Sequence, residues 1–179
     1  MKLYHFSGDK AESERFFNDS LVDYLEEAGH IIPPSALREG PELKRGAHGK
    51  PYFEDPALGG VYFSKSYSRG HGIVCFSNSE IGADCENTEA RPGIEDRLES
   101  IAGRCFTEEE QALLHDGKDD PVGRFFEIWT AKEAYMKYTG RGFSEGFRSF
   151  STPDLPEVTI ETGRLDGAPH VVYSVCSAR

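Results

Sequence analysis

In Ile81-Gly82-Ala83-Asp84-Cys85-Glu86, the residues Ile81, Ala83 and Cys85 alternate with Gly82, Asp84 and Glu86. Side chains two apart on a strand share a face, so the apolar set can pack while both carboxylates point the other way. The preceding Ile73-Val74-Cys75-Phe76 is an apolar, β-favouring run, and Ser77-Asn78-Ser79-Glu80 between them has the composition of a turn. A hairpin over residues 73 to 86 is therefore expected.

A different period follows once residues 85 to 128 have intervened. Trp129-Thr130-Ala131-Lys132-Glu133-Ala134-Tyr135-Met136-Lys137 lies in a helix expected from about 121 to 139, capped by Asp119 or Asp120 with Pro121 in its first turn. Phe125, Phe126, Ile128, Trp129, Tyr135 and Met136 give it a broad apolar surface. Thr130, Glu133 and Lys137 recur at spacings of three and four and share one face; Gly140 and Gly142 end the helix. Taken separately, an acidic alternating strand is also an ordinary half-buried strand, and Glu-x-x-x-Lys is also an ordinary helix-stabilising pair. Together, three carboxylates and a lysine suit a divalent metal holding a pyrophosphate, which points to phosphate-transfer chemistry.

Elsewhere, residues 11 to 28 read as an amphipathic helix with Phe16, Phe17, Leu21, Val22 and Leu25 on one side. Strand-like runs are expected around Tyr52, at 61 to 63, 147 to 150, 157 to 161 and 171 to 176, with helices near 92 to 102 and 107 to 115. A chain of 179 residues can bury a real core as one domain or two small lobes. Its formal charge of −11 argues against a nucleic-acid binder, which needs a basic surface. The opening Met1-Lys2-Leu3-Tyr4-His5-Phe6-Ser7 lacks the apolar core of a signal peptide, and no stretch is apolar enough to span a membrane. Cys75, Cys85, Cys105 and Cys176 are far apart, so reduced thiols and a cytoplasmic location are expected. The six histidines lack the paired spacing of a zinc site and read as surface or loop residues; His71 reads as part of a plain turn.

The order of these segments resembles the 4′-phosphopantetheinyl transferases of the single-chain, pseudo-dimeric type. The family's Gly-x-Asp reads Gly82-Ala83-Asp84, and its aromatic-hydroxyl-x-Lys-Glu helix reads Trp129-Thr130-Ala131-Lys132-Glu133-Ala134 with Lys137. Gly49-Lys50-Pro51-Tyr52, Arg104-Cys105-Phe106-Thr107-Glu108-Glu109-Glu110 and Gly140-Arg141-Gly142-Phe143 are similar to further family segments, so the match runs over about residues 46 to 150. Phe63-Ser64-Lys65-Ser66-Tyr67-Ser68 departs from the pattern, with Tyr67 where the family has histidine and Ser64 where it has asparagine. Tyrosine donates one hydrogen bond but cannot become cationic, and Lys65 and Arg69 stand close enough in sequence to compensate. Leu21-Val22-Asp23 carries aspartate where relatives often have a coenzyme-contacting arginine.

The resemblance implies an α+β fold of two similar lobes related by a pseudo-two-fold, each a small antiparallel sheet packed with a long helix. Residues 1–80 would form the lobe that contacts coenzyme A, and residues 81–179 the lobe with the metal site and catalytic helix. The implied reaction is Mg²⁺-dependent transfer of 4′-phosphopantetheine from coenzyme A to a serine of an apo acyl or peptidyl carrier protein, releasing adenosine 3′,5′-bisphosphate. Asp84, Glu86 and Glu133 would hold the metal, Glu133 would take the serine proton, and Lys137 would hold a phosphate oxygen. Lys50, Pro51, Ser66, Tyr67 and Lys137 would bind the coenzyme; Glu110 would stand near the metal or on a surface helix. A monomer of the holo-acyl-carrier-protein synthase type is expected, with a non-catalytic binder of coenzyme A or a carrier domain as the alternative. Carrier domains of this kind are acidic, so docking calls for a local basic patch, with Lys44, Arg45, Lys50, Lys65 and Arg69 the nearest candidates and Arg141 and Arg148 beyond the helix.

Overall fold

The structure is a computed structural model that describes residues 1–37, 40–89, 93–116, 120–142 and 146–179. Asp119, Phe143 and residue 92, the expected start of a helix, lie outside the described residues. The chain runs β1 (Lys2–Ser7), α1 (Glu12–Glu27), α2 (Pro34–Leu37), β2 (Leu43–Arg45), β3 (Pro51–Phe53), β4 (Tyr62–Ser68), β5 (His71–Ser77) and β6 (Ile81–Asn87). It continues through α3 (Leu98–Cys105), α4 (Glu108–Leu114), α5 (Pro121–Thr139), β7 (Val158–Leu165) and β8 (Ala168–Ala178).

The fold is α+β, with two three-stranded antiparallel sheets ordered β1-β5-β4 and β6-β8-β7, and a small β2-β3 ladder. Both three-stranded sheets are wound the same way. A first strand leads into helical chain, a hairpin follows, and the hairpin's second strand inserts between the other two. The β4–β5 hairpin closes over Arg69 and Gly70, at φ 43° and 91°, as a two-residue turn matching the strands' right-handed twist requires.

Burial follows the periods of the sequence. On α1, Phe17, Leu21, Tyr24 and Leu25 recur at helical spacing and pack with Phe63, Val74 and Phe76 of the first sheet. Ile81, Ala83 and Cys85 of β6 pack with Ile73 and Cys75 of β5 and with Val171 and Val175 of β8, so one apolar cluster joins both sheets. Phe125 and Phe126 of α5 close a third cluster with Phe106, Ala102, Leu98 and Val172. Asp120 caps α5 by accepting from Gly123 N at 2.7 Å, and Gly140 ends it in the left-handed region at φ 65°.

The expected hairpin over 73 to 86 does not form. Both edges of β5 are occupied, by β1 and β4, so β6 has no edge of β5 to join and pairs with β8. It passes beside β4 in the same direction, and hydroxyls take the place of a backbone ladder. Ser64 Oγ accepts from Ala83 N at 2.8 Å, Ser66 Oγ donates to Asp84 Oδ1 at 2.7 Å, and Ser68 Oγ donates to Glu86 Oε2 at 2.6 Å.

Residues 147 to 150 are likewise not a strand; Phe147–Ser149 form a 3-10 turn. Phe147 stacks on Trp129 at 4.8 Å and Phe150 packs on Tyr135 at 4.7 Å, which holds the segment against α5 and away from a sheet edge. The helix expected at 92 to 102 instead opens with a 3-10 turn at Glu95–Arg97 and extends as α3 to Cys105.

Candidate active site

Gly82 sets the approach of β6 to α5. A Cβ built on it would lie 1.9 Å from Ala134 O and 2.3 Å from Tyr138 N, so only a hydrogen fits there. Two residues on, Asp84 sits within reach of α5, and Lys137 Nζ lies 2.7 Å from its Oδ1. Ser66 Oγ donates to the same oxygen, and the Asp84 side chain is only 8% exposed. Burial alone would lower the Lys137 pKa, but the Asp84 charge, its hydrogen bond and Glu133 outweigh that and leave it raised. Lys137 is therefore an ammonium throughout the neutral range.

Glu133, one turn before Lys137, lines the same cleft of about 720 Å³ as Lys50, Pro51, Ser64 and Lys65. A second cleft of about 980 Å³ adjoins it across Lys65 and Lys137, and there Lys10, Ser66 and Tyr67 face the rings of Phe16 and Phe17. Lys65 Nζ stands 4.7 Å above the Phe17 ring, and burial, its largest influence, holds its pKa below the usual lysine range. Two clefts that share two lysines, one of them bonded to Asp84, suit a ligand with several phosphates.

Other expected residues carry internal ties. Lys50 Nζ donates to Glu80 Oε2 at 2.5 Å, Tyr138 O at 3.0 Å and Ile81 O at 3.2 Å, joining the end of α5 to the start of β6. Tyr67 OH donates to Gly8 O at 3.0 Å and accepts from Gly70 N at 3.1 Å, so its hydroxyl braces two loops while its ring lines the second cleft. In the expected basic patch, Lys44 is paired with Glu54, and Arg45 donates to Gly49 O at 2.9 Å.

Among the described residues, no three His, Cys, Asp or Glu side chains converge as metal ligands. Asp84 Oδ1 is held by Lys137 and Ser66, and Glu86 Oε2 by Ser68. The donor chemistry nevertheless fits Mg²⁺, which keeps several waters and needs only one or two carboxylates beside substrate phosphates. Asp84 and Glu86 share a strand face, and Glu133 acts electrostatically on Lys137, the residue bonded to Asp84.

Glu110 is neither beside that site nor on the surface. It is fully buried, and Lys132 Nζ, also fully buried, donates to its Oε1 at 2.9 Å and Oε2 at 2.7 Å. Lys132 also donates to Phe150 O at 2.6 Å, so the pair anchors α5 to α4 and to the segment after it. Lys132 and Glu133, about 100° apart on the helix, thus face different surroundings, the buried Glu110 and the cleft. One positioning feature had a signal in the sequence that went unused: the Ser-x-Ser-x-Ser alternation at Ser64, Ser66 and Ser68.

No helix among the described residues is long and apolar enough to cross a membrane. The family model of the 4′-phosphopantetheinyl transferase superfamily matches residues 80–177, which hold β6, α5, Asp84, Glu133 and Lys137. A 4′-phosphopantetheinyl transferase of Bacillus subtilis is 32% identical over 165 residues, covering 89% of this chain and 66% of the relative. A second from Bacillus subtilis, ffp, is 28% identical over 195 residues, 97% of this chain and 82% of the relative. The transferase Sfp of Bacillus subtilis strain 168 is 36% identical over 106 residues, 58% of this chain and 43% of the relative. The chain thus spans between under half and about four fifths of these relatives' lengths. With the motif-bearing strand and helix inside the matched span, the chain belongs to the 4′-phosphopantetheinyl transferase superfamily.

Proposed function

We propose that this chain transfers 4′-phosphopantetheine from coenzyme A to a serine hydroxyl of an apo acyl or peptidyl carrier protein, in the manner of a holo-acyl-carrier-protein synthase. The observation that carries this reading is the contact between Lys137 of α5 and Asp84 of β6, at the edge of the cleft that Glu133, Lys50 and Lys65 line. The names of the relatives support the same reaction class.

In this reading, coenzyme A lies along the two adjoining clefts. Lys50, Pro51, Ser66 and Tyr67 line its path, and Lys65 and Lys137 meet its phosphates where the clefts join. Lys137 acts as a point charge on a phosphate oxygen. Asp84, Glu86 and Glu133 would hold Mg²⁺, which when bound would neutralise pyrophosphate charge and orient the attacked phosphorus. Glu133 takes the proton of the carrier serine. The serine oxygen forms the new bond to the pantetheine-side phosphorus, the pyrophosphate bridge breaks, and adenosine 3′,5′-bisphosphate leaves with the bridging oxygen. The nucleophile belongs to the partner, so the chain needs no catalytic triad.

Intact-protein mass spectrometry of apo carrier proteins incubated with the chain, coenzyme A and Mg²⁺ tests this reading. A metal-dependent gain of one phosphopantetheine arm is expected. Glu133→Gln should abolish the gain while coenzyme A binding persists, and Asp84→Ala should weaken Mg²⁺-dependent coenzyme binding. Tyr67 motivates the other reading, a non-catalytic binder, because its hydroxyl is committed to Gly8 and Gly70. Coenzyme A binding with no mass gain on any carrier would favour that reading.

A further inference from the structure

Outside the clefts, two histidines from opposite sheets meet. His71 opens β5 and His170 lies near the start of β8, and their Nε2 atoms are 3.2 Å apart with the rings near perpendicular, at 72°. They are 99 positions apart in sequence, which is why no spacing pattern marks them.

Both rings are held on rigid strands. His71 is paired across β1 with Ser7 and across β4 with Ser68. Its Nδ1 lies 3.0 Å from Ser7 Oγ, so with the proton on Nδ1 and the hydroxyl accepting, Nε2 presents its lone pair beside His170 Nε2. Thr88 N and Thr88 Oγ1 both donate to the His170 carbonyl at 2.9 Å, fixing the strand that bears the second ring. Burial, then His170 and His5, keep the His71 pKa below the usual imidazole range, which favours the neutral ligand form.

Two imidazole nitrogens bound to one tetrahedral Zn²⁺, each at about 2.0–2.1 Å, are separated by about 3.3 Å. The observed separation is 3.2 Å. We infer that His71 and His170 form a two-histidine site for a borderline divalent cation such as Zn²⁺, with water completing the coordination, which clamps the first sheet to the second. Imidazole donors select Zn²⁺, Cu²⁺ or Ni²⁺ over Mg²⁺, so the site is chemically distinct from the carboxylates at Asp84 and Glu86.

The test is a Zn²⁺ titration of the full chain, pre-treated with chelator and free of coenzyme A. Binding is read at fixed temperature by competition with a chromophoric chelator, and in parallel by thermal unfolding. Zn²⁺ at about a hundredfold above its Kd should raise Tm by roughly 5–10 °C. His71→Gln and His170→Gln should each lose at least about tenfold in zinc affinity, and Asp84→Ala and His115→Gln should keep it. The competition readout on folded protein remains valid if either variant also lowers the metal-free Tm. Wild-type zinc affinity in both histidine variants overturns the inference, and so does an absence of zinc binding by the unsubstituted chain; the two rings would then share only a hydrogen bond.

Discussion

Lys137 has two duties that a single substitution cannot separate. It is the cation on a nearly buried carboxylate, and in the proposed reaction it faces substrate phosphate. Lys137→Met should reduce transfer by at least about a hundredfold and cost about 1–3 kcal/mol of stability, because the nearly buried Asp84 loses its cation and keeps the Ser66 hydroxyl. Adding Asp84→Asn removes the stranded charge, so the double variant should regain most of that stability in urea unfolding while transfer stays lost. A double variant as unstable as the single one would mean that Asp84 is not the source of the cost. The pH sign follows from the raised Lys137 pKa. The tie is fully present below the ordinary lysine value of 10.5 and is lost only as pH climbs through the higher folded value. An alkaline fall in activity near pH 8 or 9 would therefore come from another group.

At the scale of elements, the contact of β6 with α5 rests on Gly82. Gly82→Ala puts a methyl into the α5 backbone at Ala134 and Tyr138, neither of which is the end of a flexible side chain. The helix must shift, at about 2–3 kcal/mol by the usual cost of overpacking, and Lys137 moves off Asp84 with it. Urea unfolding should register the loss, and coenzyme A affinity should fall with it; unchanged affinity would show that the approach of β6 to α5 is not what sets the site.

Periodicity made α1, α4, α5 and the span of β6 legible in the sequence, and the Thr107–Glu110 capping box fixes the start of α4. It could not name partners. A run such as 73 to 76 followed by a turn says "strand" twice, but only the occupancy of both β5 edges excludes the local hairpin. Strand β1 escaped notice because Lys2, Tyr4 and Phe6 do not alternate cleanly with Leu3 and His5. At the candidate site, the meeting of Asp84 and Lys137 was legible from spacing and family pattern, whereas the Lys132–Glu110 pair was not. Its partners are 22 positions apart on different helices, and only packing puts both beyond water.

For the whole molecule, a charge of −11 sets the terms of the proposed encounter with an acidic carrier. Long-range repulsion is screened by salt over about 8 Å at physiological ionic strength, so docking depends on short-range features near the clefts. The structure already commits Lys44 to Glu54 and Lys50 to Glu80, so a carrier carboxylate must displace an internal one to use either lysine. Lys44→Glu with Arg45→Glu should raise the KM for carrier about five- to tenfold and leave the KM for coenzyme A unchanged. Equal carrier KM values would remove these two residues from the docking surface.

The winding that leaves β6 without a local partner also bears on the order in which the chain can become itself. The β4–β5 hairpin closes within a few residues of its turn, whereas Ile81 must wait for Ser177 to arrive. Contacts of such sequence separation are slow to form because loop closure precedes their reward. On a ribosome, the first sheet can assemble while β6, carrying Asp84 and Glu86, is still an open edge. The strand that carries Asp84 and Glu86 is thus synthesised well before the partner strand that encloses it. A chain interrupted before β8 would expose Ile81, Ala83 and Cys85 together, an apolar strand edge suited to aggregation or chaperone capture.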